Sequence, residues 1–333
     1  MNDTSLNRPT VLILGANGRL GCAAAHAFSN DGWQVLAQIR REPSTLLPAA
    51  AKLIRMNLSD PEGLVRAASS ARVVVHAVNP VYTKWLAEAL PALSCGLEVA
   101  AKLNAHFMLP GNVYNFGESM PPLLREDTLQ RPSTRKGEIR VEMEEQIARW
   151  AQSGGLPASV IRAGDFFGMG RGSWLDLVIV KNLRTGKLVY PGPMNIPHPW
   201  AYLPDLARAF SHIAAQPSSP GLATWHFEGF TLTGDELLAA IETAASKLHL
   251  QVSKPYHHTR LPWGLIKAAG LVVPMWRELS EMAYLWQVPH ALDGTRLATL
   301  SNRPDYKTPL ATALSESLQA LANDFPITPH PNN

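Results

Sequence analysis

The chain has 333 residues, 46% of them hydrophobic, with 30 Lys or Arg against 27 Asp or Glu and a formal net charge of +3. That supports one large or two moderate domains, and the charge carries no basic block of the kind that marks a nucleic-acid partner. No apolar run reaches membrane-spanning length. The two cysteines, Cys22 and Cys95, have neither a disulfide framework nor a metal spacing, and the N-terminal MNDTSLNRPT lacks a signal-peptide core, which together predict a cytoplasmic protein.

Val11 to Leu14 is a short apolar run, followed by Gly15, Gly18 and Gly21 at a G-x-x-G-x-x-G spacing. Cys22 to Phe28 has helical character, Asp31-Gly32 makes a turn, and Trp33 to Ile39 reads as a second strand. Strand, glycine turn, helix and strand are the first unit of a dinucleotide-binding fold. A pyrophosphate binds backbone N–H groups at a helix N-terminus, where the dipole favours negative charge, and a β-carbon in the turn blocks that approach. Asn17, Arg19 and Leu20 lie within the same turn. Arg40 and Arg41 end the second strand where an acid would serve NAD(H), and the nearest acid, Glu42, comes after both. Either they are solvated surface residues or they receive a 2′-phosphate; the second reading makes NADP(H) the expected cofactor, ahead of NAD(H).

Lys52 to Met56 is the third strand, and Asn57-Leu58-Ser59-Asp60-Pro61 opens the next helix with capping residues. Arg72 to Ala77 is a buried fourth strand, closed by Asn79-Pro80. Asn57, Leu58, Ala77, Val78 and Asn79 complete the expected cofactor contacts. A helix-rich stretch runs from Tyr82 to Leu103, with Pro91 and Gly96 as weak points, and His106 to Leu109 is strand five. A proline-rich loop, Pro121 to Pro132, precedes a helix from Gly137 to Ala151 with Ile139, Met143, Ile147 and Trp150 on one stripe. Gly154-Gly155 ends it, and Ala158 to Arg162 is strand six. Strands alternating with helices imply a parallel, doubly wound sheet.

Beyond Gly164 the pattern loosens around one predicted helix, Trp174 to Leu183. Trp200 to Phe210 reads as a strand entering a helix, Thr224 to Glu228 as the last sheet strand, and residues 233 to 333 as mostly helical. His198, His257 and His258 read as loop residues without metal spacing. Leu265 to Trp276 reads as a buried helix of the substrate domain, ahead of a segment that touches a membrane or a hydrophobic substrate, and Trp174, Trp200, Trp263, Trp276 and Trp286 as the wall of an apolar pocket. The expected fold is α/β, a Rossmann doubly wound parallel sheet with a smaller, mostly helical C-terminal substrate domain. The expected division gives residues 1–165 with 198–232 to the dinucleotide domain and 166–197 with 233–333 to the substrate domain.

On Gly15-Ala16-Asn17-Gly18-Arg19-Leu20-Gly21, Val74-Val75-His76-Ala77, Asn112-Val113-Tyr114-Asn115-Phe116-Gly117 and Ile161-Arg162-Ala163-Gly164-Asp165-Phe166-Phe167-Gly168, the chain resembles the extended short-chain dehydrogenases/reductases. This is the superfamily of nucleotide-sugar epimerases and dehydratases. Trp200 to Ala207 and Pro289 to Arg296 extend the likeness. The resemblance implies a catalytic Ser or Thr, a Tyr that exchanges the carbonyl proton, and a Lys four residues later that lowers its pKa and holds the cofactor ribose. The Ser position falls on Asn112, the Tyr position on Lys136 and the Lys position on Arg140, which is similar to the atypical branch that loses the standard tetrad.

Lys136 and Arg140 share a helix face, where two cations repel. Either both are solvated, or an anion of cofactor or substrate lies beside them. In the second case Lys136 also touches the cofactor and carries a proton, Arg140 binds and polarises, since it cannot deprotonate, and Asn112 donates to a carbonyl or merely ends its strand. Tyr114 and Tyr202 read as packing. The expected function is an NADP(H)-dependent oxidoreductase or epimerase-like enzyme with a small carbonyl or alcohol substrate, no metal, no nucleic-acid or membrane partner, and a monomeric or homodimeric state. A silent NADP(H)-binding sensor and a nucleotide-sugar epimerase or dehydratase are the rivals.

Overall fold

The computed structural model describes residues 8–250, 255–300 and 307–322. Its centre is an all-parallel sheet of seven strands: β1 (Thr10–Leu14), β2 (Gln34–Ile39), β3 (Lys52–Arg55), β4 (Ala71–His76), β5 (His106–Gly111), β6 (Pro157–Ala163) and β7 (Gly221–Phe227). Their spatial order is β3-β2-β1-β4-β5-β6-β7. The order reverses between β1 and β4, which Leu12 bridges by facing Leu36 on one side and Val74 on the other. Such a switch point opens a crevice at the carboxyl ends of the strands.

Alternation along the strands builds two apolar layers. Leu12, Leu14, Val74 and Phe107 face the core under α2 (Pro61–Ala67), α3 (Trp85–Lys102) and α4 (Arg135–Gly154). Val11, Ile13, Val73 and Met108 face the other core with α1 (Arg19–Asn30) and α5 (Leu203–Ala214). Asp60 caps α2 by accepting from Gly63 N, and Pro61 follows at the first turn. Pro91 and Gly96 do not break α3 as expected. Gly96 serves packing instead: a β-carbon there would come within 2.5 Å of His76 Nδ1.

A third core joins Phe167, Trp200, Tyr202 and Trp286 to α6 (Gly234–Lys247) and α10 (Leu310–Leu321). Around it lie a three-stranded sheet (Asp165–Phe167, His198–Tyr202, Phe230–Leu232) and a strand pair, Lys187–Tyr190 with His257–Arg260. The helix expected at Trp174 to Leu183 is only a π-helical turn, Leu175–Ile179, and a 3-10 turn, Leu183–Thr185. Asp176 accepts from Gly172 N and Ser173 N and so fixes the entry, and Gly186, in the left-handed region, ends the segment. His198 is a buried strand residue, not a loop residue, and His257 and His258 are also in a strand. Trp174 and Trp200 pack against Trp286 rather than line an open pocket. Trp263 stacks obliquely on Trp174, and only Trp276 of the five stays well exposed. The buried helix expected at Leu265 to Trp276 is two short helices, α7 (Trp263–Ala269) and α8 (Pro274–Glu281), neither with a buried residue. The short helix α9 (Thr295–Leu300) returns to the second core through Leu297.

Candidate functional site

The glycine turn joins β1 to α1. Gly15 has φ +77°, the left-handed region that favours glycine, and its α-carbon side is closed by Val78, 3.0 Å from any β-carbon built there. Gly21 packs on the turn itself, since its β-carbon would sit 2.5 Å from Gly15 O. Gly18 differs. It is the N-cap of α1, and a β-carbon there would meet nothing of the chain nearer than 3.4 Å, so its small size keeps the space in front of the helix clear. α1 starts with no side-chain cap and no acid in its first turn. That is the cradle a pyrophosphate fits. Gln38 braces it: Gly15 N donates to Gln38 Oε1 at 2.8 Å while Gln38 Nε2 donates to Met56 O at 2.7 Å.

The other expected cofactor residues divide. Ala77 N donates to Leu14 O at 2.9 Å and, with Val78, borders the turn from the end of β4, and the exposed Asn79 follows. Asn17 ties down the loop after β2, donating to Glu42 O at 2.8 Å and accepting from Ser44 N at 2.9 Å. Asn57 turns back to Ser59 N, and Leu20 and Leu58 point into the cores. Arg19 is committed to the carbonyls of Gly168 and Gly172, and burial lowers its pKa to about 10. Arg40 and Arg41 are exposed at the end of β2. Glu42 is held by Arg55 through two hydrogen bonds of 2.8 and 3.0 Å.

Across the switch point, α4 starts where the tetrad positions fall. Thr134 caps it by accepting from Gly137 N at 3.1 Å. Gly137 lets the helix press on the 114–116 turn, for its β-carbon would lie 2.5 Å from Tyr114 O. Lys136 is only 2% exposed, and its ammonium donates to Glu278 and Glu281 of α8. Its backbone N donates to Glu281 Oε1 at 3.2 Å. Of the two readings of the cation pair, solvation fails for Lys136, which is buried, and the anions beside it are the chain's own carboxylates from α8. Arg140 lies 4.8 Å over the Trp85 ring and donates to Pro110 O at 3.1 Å, while its buried Nε has no partner. Burial lowers the Arg140 pKa. Asn112 Oδ1 accepts from Tyr114 N at 3.0 Å, which closes the turn after β5.

Between these groups stands a pair of phenols. The hydroxyls of Tyr82 and Tyr114 are 2.8 Å apart, and Lys136 Nζ is 5.4 Å from the centre of the Tyr82 ring. Burial pushes both phenols above the ordinary tyrosine value, Tyr114 well above it, and the nearby Asp165 carboxylate adds to the rise. They are therefore neutral donors and acceptors, suited to hydrogen-bond a carbonyl oxygen. Asp165 Oδ2 meets His198 Nε2 at 2.8 Å, and the His198 ring stacks on Trp286 at 4.1 Å. Tyr114 packs in the first core, as expected, and its hydroxyl also belongs to this group; Tyr202 packs in the third core and bonds to Glu316. Tyr82, Trp85, Gln38, Glu278 and Glu281 were not anticipated. The signal for Tyr82 is its place just after the β4 end motif; the two glutamates offered none. Among the described residues no cluster of three His, Cys, Asp or Glu is placed to hold a metal ion, and no helix is long and apolar enough to cross a membrane.

Known proteins share this architecture. The UDP-glucose 4-epimerase of Thermotoga maritima, solved with UDP-glucose, is 16% identical with a TM-score of 0.71, over 95% of this chain and 99% of its own. The L-threonine dehydrogenase of Clostridium difficile is 15% identical with a TM-score of 0.71, over 96% and 99%. The Thermus thermophilus UDP-glucose 4-epimerase in complex with NAD is 16% identical with a TM-score of 0.68, over 94% and 99%. These identities speak for the fold alone. No curated protein sequence matches the chain. The family profile described as "NAD dependent epimerase/dehydratase family" matches residues 11–223. With that match over most of its length, and the glycine turn and seven-stranded sheet in place, the chain belongs to the NAD-dependent epimerase/dehydratase family.

Proposed function

We propose that the protein is an NADP(H)-dependent oxidoreductase or epimerase-like enzyme acting on a small carbonyl or alcohol substrate. The bound dinucleotide supplies hydride exchange. Gly15, Gly18 and Gly21 would take its pyrophosphate, with Ala77, Val78 and Asn79 bordering the crevice. Arg40 and Arg41 favour a 2′-phosphate, because both are exposed and neither pairs with a carboxylate among the described residues, while Glu42 is taken by Arg55. Lys136 is the proposed proton carrier. Arg140 and Asn112 hold the frame around it, one through the β5 carbonyl and one through the following turn. The substrate would rest on the segments 166–197 and 233–333.

The observation that carries this reading is the convergence of Lys136, Arg140 and the Tyr82–Tyr114 pair at the carboxyl ends of β4 and β5, beside the β1/β4 switch. Lys136→Met tests it. Combined with Glu278→Gln/Glu281→Gln, so that no carboxylate is stranded, the variant should bind NADPH nearly as wild type by calorimetry and lose roughly 10²–10⁴-fold in turnover, the usual share of general acid/base catalysis. Turnover within a few-fold of wild type would move the proton to the phenol pair. A second reading, a silent NADP(H)-binding sensor, draws on the Glu278 and Glu281 carboxylates that occupy the Lys136 ammonium. It takes over if a broad carbonyl panel produces no NADPH oxidation.

A further inference from the structure

The α7–α8 hairpin has an outer surface that folding leaves uncovered. Gly270 sits tightly against Arg277, its built β-carbon only 3.0 Å from Arg277 N, so the hairpin closes abruptly and its tip is displayed. Leu271 to Arg277 form an unbroken run of seven exposed residues, six of them apolar. Leu271 is 90% exposed, Val272 83% and Trp276 43%, and Leu265 on α7 is 71% exposed. Single exposed leucines are ordinary; a contiguous exposed cluster of aliphatic residues and a tryptophan marks a contact surface.

The charges of the hairpin are sorted by side. Its two carboxylates, Glu278 and Glu281, turn inward to Lys136. Its two cations, Lys267 and Arg277, are exposed. Arg277 keeps 70% of its side chain in solvent, and its one near carboxylate, Glu278 at 3.7 Å, is shared with Lys136. The outward face is therefore apolar with a basic rim. Two copies meeting symmetrically on it would bring cation toward cation with no acid on the face between them. An anionic lipid surface satisfies both halves at once: acyl chains take the leucine, valine and tryptophan side chains, and headgroups take Lys267 and Arg277. With seven and eight residues, α7 and α8 are too short to cross a bilayer, so insertion stops at the interface.

We propose that the α7–α8 tip docks the protein peripherally on anionic bilayers. The inference stands apart from the cofactor chemistry. Co-sedimentation of the full chain with vesicles of phosphatidylcholine alone, or mixed with phosphatidylserine in about a 3:1 ratio, tests it. Wild type should pellet with the mixed vesicles and partition at least about tenfold less onto phosphatidylcholine alone or at high salt, since rim charges are screened within about 10 Å at 0.1 M salt. Leu271→Ser/Val272→Ser/Trp276→Ser should lose about tenfold or more of the binding while retaining wild-type NADPH affinity, which certifies its fold. Lys267→Gln/Arg277→Gln should lose the phosphatidylserine dependence. Wild type left in the supernatant with both vesicles overturns the proposal. So does light scattering that finds a dimer dispersed by the triple serine variant, with no vesicle binding.

Discussion

Arg40 and Arg41 stand exposed at the end of β2, and under the proposed function they are the residues that set cofactor choice. A 2′-phosphate there would gain charge-assisted hydrogen bonds that a ribose hydroxyl cannot match. Arg40→Ala/Arg41→Ala should weaken NADPH by about 1–3 kcal/mol and NADH far less, measured by calorimetry with both cofactors. Equal losses, or a wild type that prefers NADH, overturn the assignment. The glycine turn was legible because it is local: each glycine answers to atoms within the same turn or to Val78 just past β4. The helix that carries Lys136 was legible from its apolar stripe, but the environment of the lysine was not. Glu278 and Glu281 come from 142 and 145 residues away, and no local pattern says which exposed-looking acids of a later helix will fold back onto a lysine.

Elements with their own start and stop signals came through the sequence well. The sheet strands fall close to the apolar runs that suggested them, and α4 ends where Gly155, with φ +65°, closes it. α4 begins at Arg135, two residues before the expected start at Gly137, because Thr134 supplies the cap. Thr134→Ala removes the acceptor for Gly137 N and should cost about 1 kcal/mol in urea unfolding; an unchanged midpoint would show that the cap is dispensable. Pro91 and Gly96 misled because a helix supported by tertiary packing tolerates breakers that an isolated one does not. α7 and α8 misled in the opposite direction. Apolar composition reads as burial, yet burial depends on what the rest of the chain brings to that face, and here the outer face is left bare.

At the scale of the whole molecule, four buried histidines make stability depend on pH. Burial lowers His76, His106 and His226 from 6.5 to about 4 and His290 to about 3. In His76 the Arg140 charge adds to the effect. The unfolded chain binds protons at these sites at a pH where the folded chain does not, so their contribution is present above the unfolded value of about 6.5. It is lost as pH falls toward the folded values, each site costing up to about 1.4 kcal/mol per pH unit. The free energy of urea unfolding should therefore fall between about pH 7 and pH 5. A flat profile there would mean the rings open to water before they titrate.

The ammonium shared by Glu278 and Glu281 also ties α8 to the start of α4. A neutral side chain at position 136 would leave two partly buried carboxylates facing each other without a counter-charge. Stranding charges in this way costs far more than the ion cluster itself gains. A change at Lys136 would therefore be felt in the α7–α8 hairpin, more than a hundred residues downstream, as much as at the start of α4 itself.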